Sequence, residues 1–140
     1  MKIGFHFFDL LTWVFGQVQK QKLYVTSHDR ASGTFFFQKA TIRWFLSISN
    51  KTLPVEIAEK GQPSLRVLEL DQQVFDFSEN FLNLHTHCYH EILAEGGYSV
   101  QDVLPSIQLA YDIRNLPLTP ADEDSHPLVS LPSEPHPFYS

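Results

Sequence analysis

The chain has 140 residues, 43% of them hydrophobic, with 16 acidic and 10 basic side chains and a net charge of −6. A chain of this length can bury one hydrophobic core, so we expect a single folded domain. The acidic balance argues against nucleic acid and against an anionic membrane surface as the partner.

The first predicted element is a mostly buried helix that ends at Gly16, at the position where a C′ glycine closes a helix. Its apolar residues recur at helical spacing in two adjacent stripes, which are Phe8, Leu11 and Phe15, and Phe7, Leu10 and Val14. His6, Asp9 and Trp13 share the remaining side. Because His6 and Asp9 interrupt the apolar run, we predict neither a transmembrane span nor a signal peptide.

The beginning of this helix lacks the usual cap. A buried helix normally starts at Ser, Thr, Asp or Asn, whereas this one starts from an α-amino group and Lys2, which oppose the helix dipole. We therefore expect that the sequence is truncated from a longer chain.

About five antiparallel strands are predicted next, at residues 23–27, 33–38, 41–49, 66–70 and 74–77. The third strand alternates most clearly, with Ile42, Trp44, Leu46 and Ile48 on one face and Thr41, Arg43, Phe45 and Ser47 on the other. This alternation indicates a sheet with one face on the core and the other face free. Residues 50–64 are predicted to form a loop or an irregular edge.

Two helices are predicted after the strands. The first spans residues 84–95, is capped by Asn83 and turns four residues inward: Leu84, Cys88, Ile92 and Leu93. The second begins at Ser99 or Asp102, reaches Arg114 and buries Ile107, Ala110 and Tyr111. The predicted fold class is therefore α+β, an open, mostly antiparallel sheet with the N-terminal helix and the two C-terminal helices on one face.

The predicted folded domain covers residues 1–114, and residues 115–140 form a different kind of segment. They contain six of the nine prolines, no Lys or Arg, and no apolar period. We predict a disordered or loosely draped tail.

A cluster of His85, His87, Cys88, His90 and Glu91 contains residue types that bind zinc. On a helix, His87 lines up with His90 or Glu91, whereas Cys88 points into the core, so the groups do not converge. We favour a solvated helix face with one buried cysteine and no metal, and a small zinc protein is the alternative. This single cysteine excludes an internal disulfide and fits a reducing cytoplasm.

His6 and Asp9 form a second candidate site. A carboxylate one turn from an imidazole can fix its tautomer, which suits proton transfer with a bound hydroxyl, and a structural hydrogen bond is the alternative. Arg43 suits binding of phosphate or carboxylate, or pairing with Glu69 or Asp71 across the sheet. No glycine-rich phosphate loop occurs in the chain.

Three segments in order, GFHFFDLLTWVFG, TIRWFLSIS and FDFSENFLNLHTHCYHEILAEGGYSVQDVLPSIQLAYDIR, resemble the C-terminal domain of the Gfo/Idh/MocA oxidoreductases. The resemblance is greatest to the branch that acts on UDP-N-acetylglucosamine-derived sugars, including UDP-N-acetyl-2-amino-2-deoxyglucuronate dehydrogenases. It covers nearly all of residues 1–114.

The resemblance implies an α+β domain whose free sheet face associates subunits. A histidine at the position of His6 acts in the family as acid/base on the oxidised sugar hydroxyl, with a lysine from an N-terminal Rossmann domain. That lysine and the NAD-binding loop have no counterpart in this chain. The family usually has Asn or Asp four positions before the histidine, where this sequence has Lys2.

We therefore expect the substrate-side and oligomerisation domain of a cytoplasmic, NAD-dependent nucleotide-sugar dehydrogenase. His6 is its expected catalytic residue, and Asp9 and Arg43 are its expected substrate-binding residues. The expected partners are a UDP-sugar, a second copy through the sheet face and a Rossmann-domain chain. No cofactor is expected to bind this chain alone, and no turnover, because hydride transfer depends on positioning by both domains. The alternative is a non-catalytic assembly or binding module that uses the free sheet face.

Overall fold

The computed structural model describes residues 5–62, 64–76, 78, 90, 92–94, 96, 99–136 and 138. Its helices are α1 (Phe5–Phe15), α2 (Val55–Glu59) and α3 (Val100–Asn115), with short 3₁₀ turns at Asn50–Thr52 and Pro127–Ser130. Its strands are β1 (Lys20–Thr26), β2 (Arg30–Phe36), β3 (Thr41–Ser47), β4 (Val67–Leu70) and β5 (Gln73–Asp76). The predicted α+β class is confirmed.

The chain divides into two compact units, the first made of residues 1–49 and 100–140 and the second of residues 50–99. The five described strands form a three-stranded sheet in the order β1-β2-β3 and a two-stranded sheet, β4-β5. The predicted helix over residues 84–95 lies mostly outside the described residues, as does Lys2. In the described part of the chain, no helix is both long and apolar enough to cross a membrane.

Strand β2 is the centre of the first unit and pairs antiparallel with both neighbours. The register places Phe35 opposite Ile42 and Gly33 opposite Trp44, so these side chains share one face of the sheet. Thr34 lies opposite Arg43 on the other face. The alternation predicted for β3 therefore holds within the strand, whereas Ile48, just past its end, is 62% exposed.

Helix α1 packs on the first of these faces through Phe8, which is 1% exposed. The Phe8 ring lies edge-on to Phe35 at 5.2 Å and to Trp44 at 5.4 Å between centroids. Leu11 is also buried, but Val14 is 53% exposed. The helix therefore buries Phe8 and Leu11, whereas Phe15 of the same stripe is half-buried, and the prediction that the helix is mostly buried was too broad. Gly16, with φ +84°, closes the helix as predicted.

Gly33 allows this packing because its position has no room for a side chain. A Cβ atom there would collide with the Lys22 carbonyl oxygen and lie 2.7 Å from Cζ2 of Trp44. The indole of Trp44 therefore lies over the backbone of β2, and it contacts both Phe8 and Phe35. The small residue in the central strand is what brings α1 and the sheet together.

Helix α3 packs against α1 through a stripe of Ser106, Leu109, Ala110 and Ile113. The predicted stripe was partly wrong, because Ala110 is buried but Ile107 and Tyr111 are 46% and 63% exposed. Both stripes fit a period of 3.6 residues, so the sequence pattern alone does not choose between them.

The opposite face of the sheet is covered by residues 116–136, which we call the C-terminal strap. Thr119 donates its backbone N–H to the Leu23 carbonyl at 2.7 Å, and Thr34 Oγ1 donates to the Asp124 carbonyl at 2.6 Å. Farther along, the His126 ring stacks on Phe45 with 5.6 Å between centroids. The sequence predicts a disordered or loosely draped tail, whereas the structure gives residues 116–136 a defined course. Hydrogen bonds of polar side chains and of the backbone hold the strap in place. The sequence did not predict this, because such bonds leave no apolar period.

The second unit contains the β4–β5 hairpin that the sequence predicts. Asp71 and Gln72 have φ values of 49° and 66° and form its two-residue turn. Just outside the hairpin, Ser78 accepts the Arg66 N–H at 2.9 Å. The predicted loop before it contains the short helix α2 and one 3₁₀ turn.

Candidate functional site

Helix α1 presents His6, Asp9 and Trp13 on the side that faces away from the sheet. Phe8 and Leu11 fix this orientation, because they are buried on the opposite side of the same helix. His6 and Asp9 are exposed, and Trp13 is 84% exposed. The predicted line of polar and aromatic residues is therefore an accessible surface ridge.

His6 and Asp9 lie nearly one turn apart on this ridge and are both open to solvent. Within the described residues, no hydrogen bond or ion pair joins the two side chains. The backbone carbonyl of Asp9 accepts the Thr12 hydroxyl at 3.0 Å. An exposed imidazole can exchange a proton with a hydroxyl placed beside it, but a second surface must enclose that hydroxyl and exclude water.

The structure places Arg43 away from His6 and Asp9. Arg43 lies opposite Thr34 on the face of the sheet that carries the C-terminal strap, whereas α1 packs on the other face through Phe8. The three predicted site residues are therefore split between the two sides of one sheet, and Arg43 cannot contact a ligand held at His6.

The histidine-rich segment that suggested zinc falls largely outside the described residues. His85, His87, Cys88 and Glu91 are among those not described, and His90 is exposed. In the ranges that the structure does describe, no three His, Cys, Asp or Glu side chains come together in a group that could hold a metal ion.

A polar cluster that the sequence analysis missed joins the strap to the edge strand β1. Lys22 Nζ lies 2.7 Å from a carboxylate oxygen of Asp122 and 2.7 Å from one of Asp124, and Tyr24 donates its hydroxyl to Asp122 at 2.8 Å. The hydrogen bonds to the two carboxylates raise the pKa of Lys22, and Lys22 lowers the pKa of Asp122. Burial raises the pKa of Tyr24. The acidic triplet Asp122, Glu123 and Asp124, in a tail without Lys or Arg, was the available signal.

A second missed cluster surrounds the buried pair of Asp29 and Arg30, each 5% exposed. Arg30 Nη2 lies 2.9 Å from Asp29 Oδ2, and Arg30 Nη1 donates to the Leu131 carbonyl at 2.9 Å. Ser133 of the strap donates to the other Asp29 oxygen at 2.9 Å. The Arg30 guanidinium is the main reason that the pKa of Asp29 lies far below its ordinary value. The only sign of this cluster in the sequence was that two residues of opposite charge, Asp29 and Arg30, follow the first predicted strand.

A half-open depression of about 250 Å³ lies in the first unit, beside the carboxyl-terminal end of α1. It is lined by Thr12, Pro105, Leu109, Asp112 and the glutamines at positions 17, 19, 21 and 108, together with Val18 and Lys20. The Oε1 atom of Gln21 is buried without a hydrogen-bond partner in the described structure. His6 does not line this depression, so it is separate from the ridge on α1.

The strand pairing of the described residues differs from that of a dinucleotide-binding domain. The named strands pair only antiparallel, and the NAD-binding Rossmann motif needs a parallel β-α-β unit with a glycine-rich turn. The printed sequence has no such glycine-rich turn either.

Two solved structures are similar to the chain. The WlbA (WbpB) dehydrogenase from Thermus thermophilus in complex with NAD and α-ketoglutarate superposes with a TM-score of 0.85 at 34% identity. The same dehydrogenase in complex with NAD and UDP-GlcNAcA superposes with a TM-score of 0.84 at 33% identity. The match covers 90% of this chain but 41% of either dehydrogenase chain.

No protein-family model matches the chain. The structural match nevertheless extends over 90% of the chain, at an identity that accompanies common ancestry rather than chance likeness of fold. The chain spans about two-fifths of the length of the dehydrogenases it matches. These findings confirm the resemblance to the C-terminal domain of the Gfo/Idh/MocA oxidoreductases, and they relate the chain to part of the WlbA (WbpB) dehydrogenases.

Proposed function

We propose that this chain forms the substrate-side part of an NAD-dependent dehydrogenase that oxidises a hydroxyl of a UDP-N-acetylhexosamine or its uronic acid. The observation that carries the proposal is the 33% identity, over 90% of the chain, to a dehydrogenase crystallised with NAD and UDP-GlcNAcA. The accessible ridge on α1 supports it, because a catalytic imidazole must be open toward the substrate before the site closes.

In this proposal His6 exchanges a proton with the sugar hydroxyl, and Asp9, nearly one turn away, orients the imidazole. NAD supplies the hydride acceptor when it is bound by another domain. Arg43 is not part of the same site, because it lies on the strap side of the sheet. Residues 5–138 by themselves are expected to give no turnover, because the ridge is open to water and nothing holds a nicotinamide against it.

Assembly through the sheet face is the weaker candidate. The sequence predicts that face to be free, but the strap covers it and Phe45 stacks on His126. A second copy would have to displace contacts that the chain already makes with itself, so we do not propose assembly as the function.

A chimera tests the proposal. The portion of the Thermus thermophilus WlbA dehydrogenase that matches this chain is replaced by the chain, and NADH formation is followed with UDP-GlcNAc and with its uronic acid. We expect turnover in the chimera and none with the chain alone. His6→Ala in the chimera should lower kcat by about 10²- to 10⁴-fold, which is the usual contribution of general acid-base catalysis.

The matched control is His90→Ala, which removes another exposed histidine and should leave kcat unchanged. Asp9→Asn should shift the pH profile of kcat rather than abolish activity, because the imidazole remains. A folded chimera that binds NAD and both sugars but gives no NADH would refute the proposed function, and so would a His6→Ala chimera with normal kcat.

A further inference from the structure

The C-terminal strap is fixed to the sheet at two ends. At one end Lys22 of β1 holds Asp122 and Asp124, and at the other Arg30 holds the Leu131 carbonyl. Between these two points, the His126 ring lies on Phe45 of β3 with an interplanar angle of 24°. His126 is therefore the side chain through which the middle of the strap meets the sheet.

His126 performs a second task that depends on its protonation state. Its Nδ1 atom accepts the backbone N–H of Leu128 at 3.2 Å and so caps the 3₁₀ turn Pro127–Ser130. A neutral imidazole can accept at one ring nitrogen, whereas a protonated imidazole has two donors and no acceptor. Protonation of His126 therefore removes the cap.

The charges around His126 oppose protonation as well. Arg43 of β3 faces it, and the carboxylates of its own segment, Asp122 and Asp124, are engaged by Lys22 of β1. Burial first, and the positive charge of Arg43 second, lower the pKa of His126. A proton on this half-buried ring would add a second positive charge near that of Arg43.

A second histidine lies at the far end of the strap. His136 Nδ1 accepts the backbone N–H of Phe138 at 3.1 Å, and its ring lies 4.7 Å from the ring of His28, between centroids. The nearby Glu134 accepts the Ser49 hydroxyl at 3.0 Å.

We propose that the C-terminal strap is a pH-sensitive cover of the sheet, closed while His126 is neutral and loosened when His126 is protonated. The direction of the pH effect on closure follows from linkage, since His126 binds the proton more readily in the open strap than in the closed strap. The contribution of His126 to closure is therefore fully present above the ordinary histidine value of 6.5 and is progressively lost as the pH falls below it. The Lys22–Asp122 contact adds no pH dependence of its own in this range, because both groups stay charged.

Amide hydrogen exchange followed by NMR tests this proposal on the full chain. The reporter is the N–H of Thr119, which bonds to the Leu23 carbonyl, and the internal control is the N–H of Gln19, which bonds to the Phe36 carbonyl. After correction for intrinsic exchange, we expect Thr119 to lose protection relative to Gln19 between pH 7.5 and pH 5.5. The loss should be at most about tenfold, because pH 5.5 lies only one unit below the ordinary histidine value of 6.5.

His126→Asn is the decisive variant, because its Oδ1 can accept the Leu128 N–H but does not titrate. It should keep Thr119 equally protected at both pH values. Should this variant fold poorly, the Arg43→Gln chain provides a second measurement, in which the NMR titration midpoint of His126 should move to higher pH. Equal protection of Thr119 in the wild-type chain at both pH values would overturn the proposal. So would a pH response of Thr119 in His126→Asn that equals the response in the wild type. An unchanged NMR titration midpoint of His126 in Arg43→Gln would overturn it as well.

Discussion

Arg30 follows Asp29 directly in the chain, and the two side chains form a buried ion pair with 2.9 Å between Nη2 and Oδ2. Neighbouring residues in an extended strand normally point to opposite faces. Here the pair lies at the start of β2, where the preceding turn directs Asp29 back toward the guanidinium. The same two groups bind the Leu131 carbonyl and the Ser133 hydroxyl, so one ion pair joins the β1–β2 turn to the strap.

Asp29→Asn should destabilise the chain by about 3 kcal/mol, because it leaves a buried guanidinium without its counter-charge. Urea unfolding measures this loss. Ser133→Ala is the matched control, since it removes one hydrogen bond to the same carboxylate and should cost about 1 kcal/mol. Equal stability of Asp29→Asn and the wild type would mean that the pair contributes nothing net.

The lowered pKa of Asp29 leads to a prediction of how the stability of the fold changes at low pH. Because its pKa in the folded chain lies below the ordinary value of 3.8, the folded state binds fewer protons than the unfolded state below about that pH. The contribution of Asp29 is fully present above this pH and is lost as the pH falls further. Urea unfolding of the wild-type chain at pH 5.0 and 3.0 should show a larger loss of stability than the same pair of measurements on Asp29→Asn.

Gly33→Ala should destabilise the first unit by about 1–3 kcal/mol, because the new methyl group collides with the Lys22 carbonyl and the Trp44 ring. Gly16→Ala is the comparison, because its Cβ meets nothing within 4 Å and only the positive φ resists it, at a cost of about 1 kcal/mol. Thermal unfolding followed by circular dichroism ranks the two. A Gly33→Ala chain as stable as Gly16→Ala would contradict the close approach of Trp44 to β2.

Phe8→Ala should cost about 3–5 kcal/mol and loosen the packing around Trp44. The chain has two tryptophans, and Trp13 is 84% exposed, so Trp13→Phe leaves Trp44 as the sole reporter. In that background, Phe8→Ala should shift the Trp44 fluorescence to longer wavelength in the folded state. Phe138→Ala, which removes an 84% exposed ring, should leave the emission unchanged.

Thr34→Val should free the strap without changing the shape of the sheet core. The hydroxyl of Thr34 is fully buried, and its donation to the Asp124 carbonyl is replaced by a methyl group, which should cost about 1–3 kcal/mol. Limited proteolysis should then cleave residues 116–136 faster than in the wild type. Thr12→Val, which removes a hydroxyl bonded within α1, should not alter this rate.

The sequence by itself determined the elements whose signals are local. The stripe of Phe8 and Leu11, the C′ position of Gly16, the alternation of β3 and the existence of the hairpin that follows residue 66 all follow from periods of 3.6 or 2 residues and from turn chemistry. The family resemblance was also present in the order of motifs. These features depend on residues close together in the chain, so they can be recognised before the fold is known.

Only the tertiary structure decided which surfaces are covered. Helix α3 buries Leu109 and Ile113, whereas Ile107 and Tyr111 are exposed. The sequence could not distinguish these two stripes, because both have the same period. The tertiary structure put Arg43 on the far side of the sheet from His6, since strand register and helix docking are long-range properties. The strap lies over the sheet face that the sequence predicted to be free. The hydrogen bonds that hold it join groups about 90 to 105 residues apart, and such bonds leave no period in the sequence.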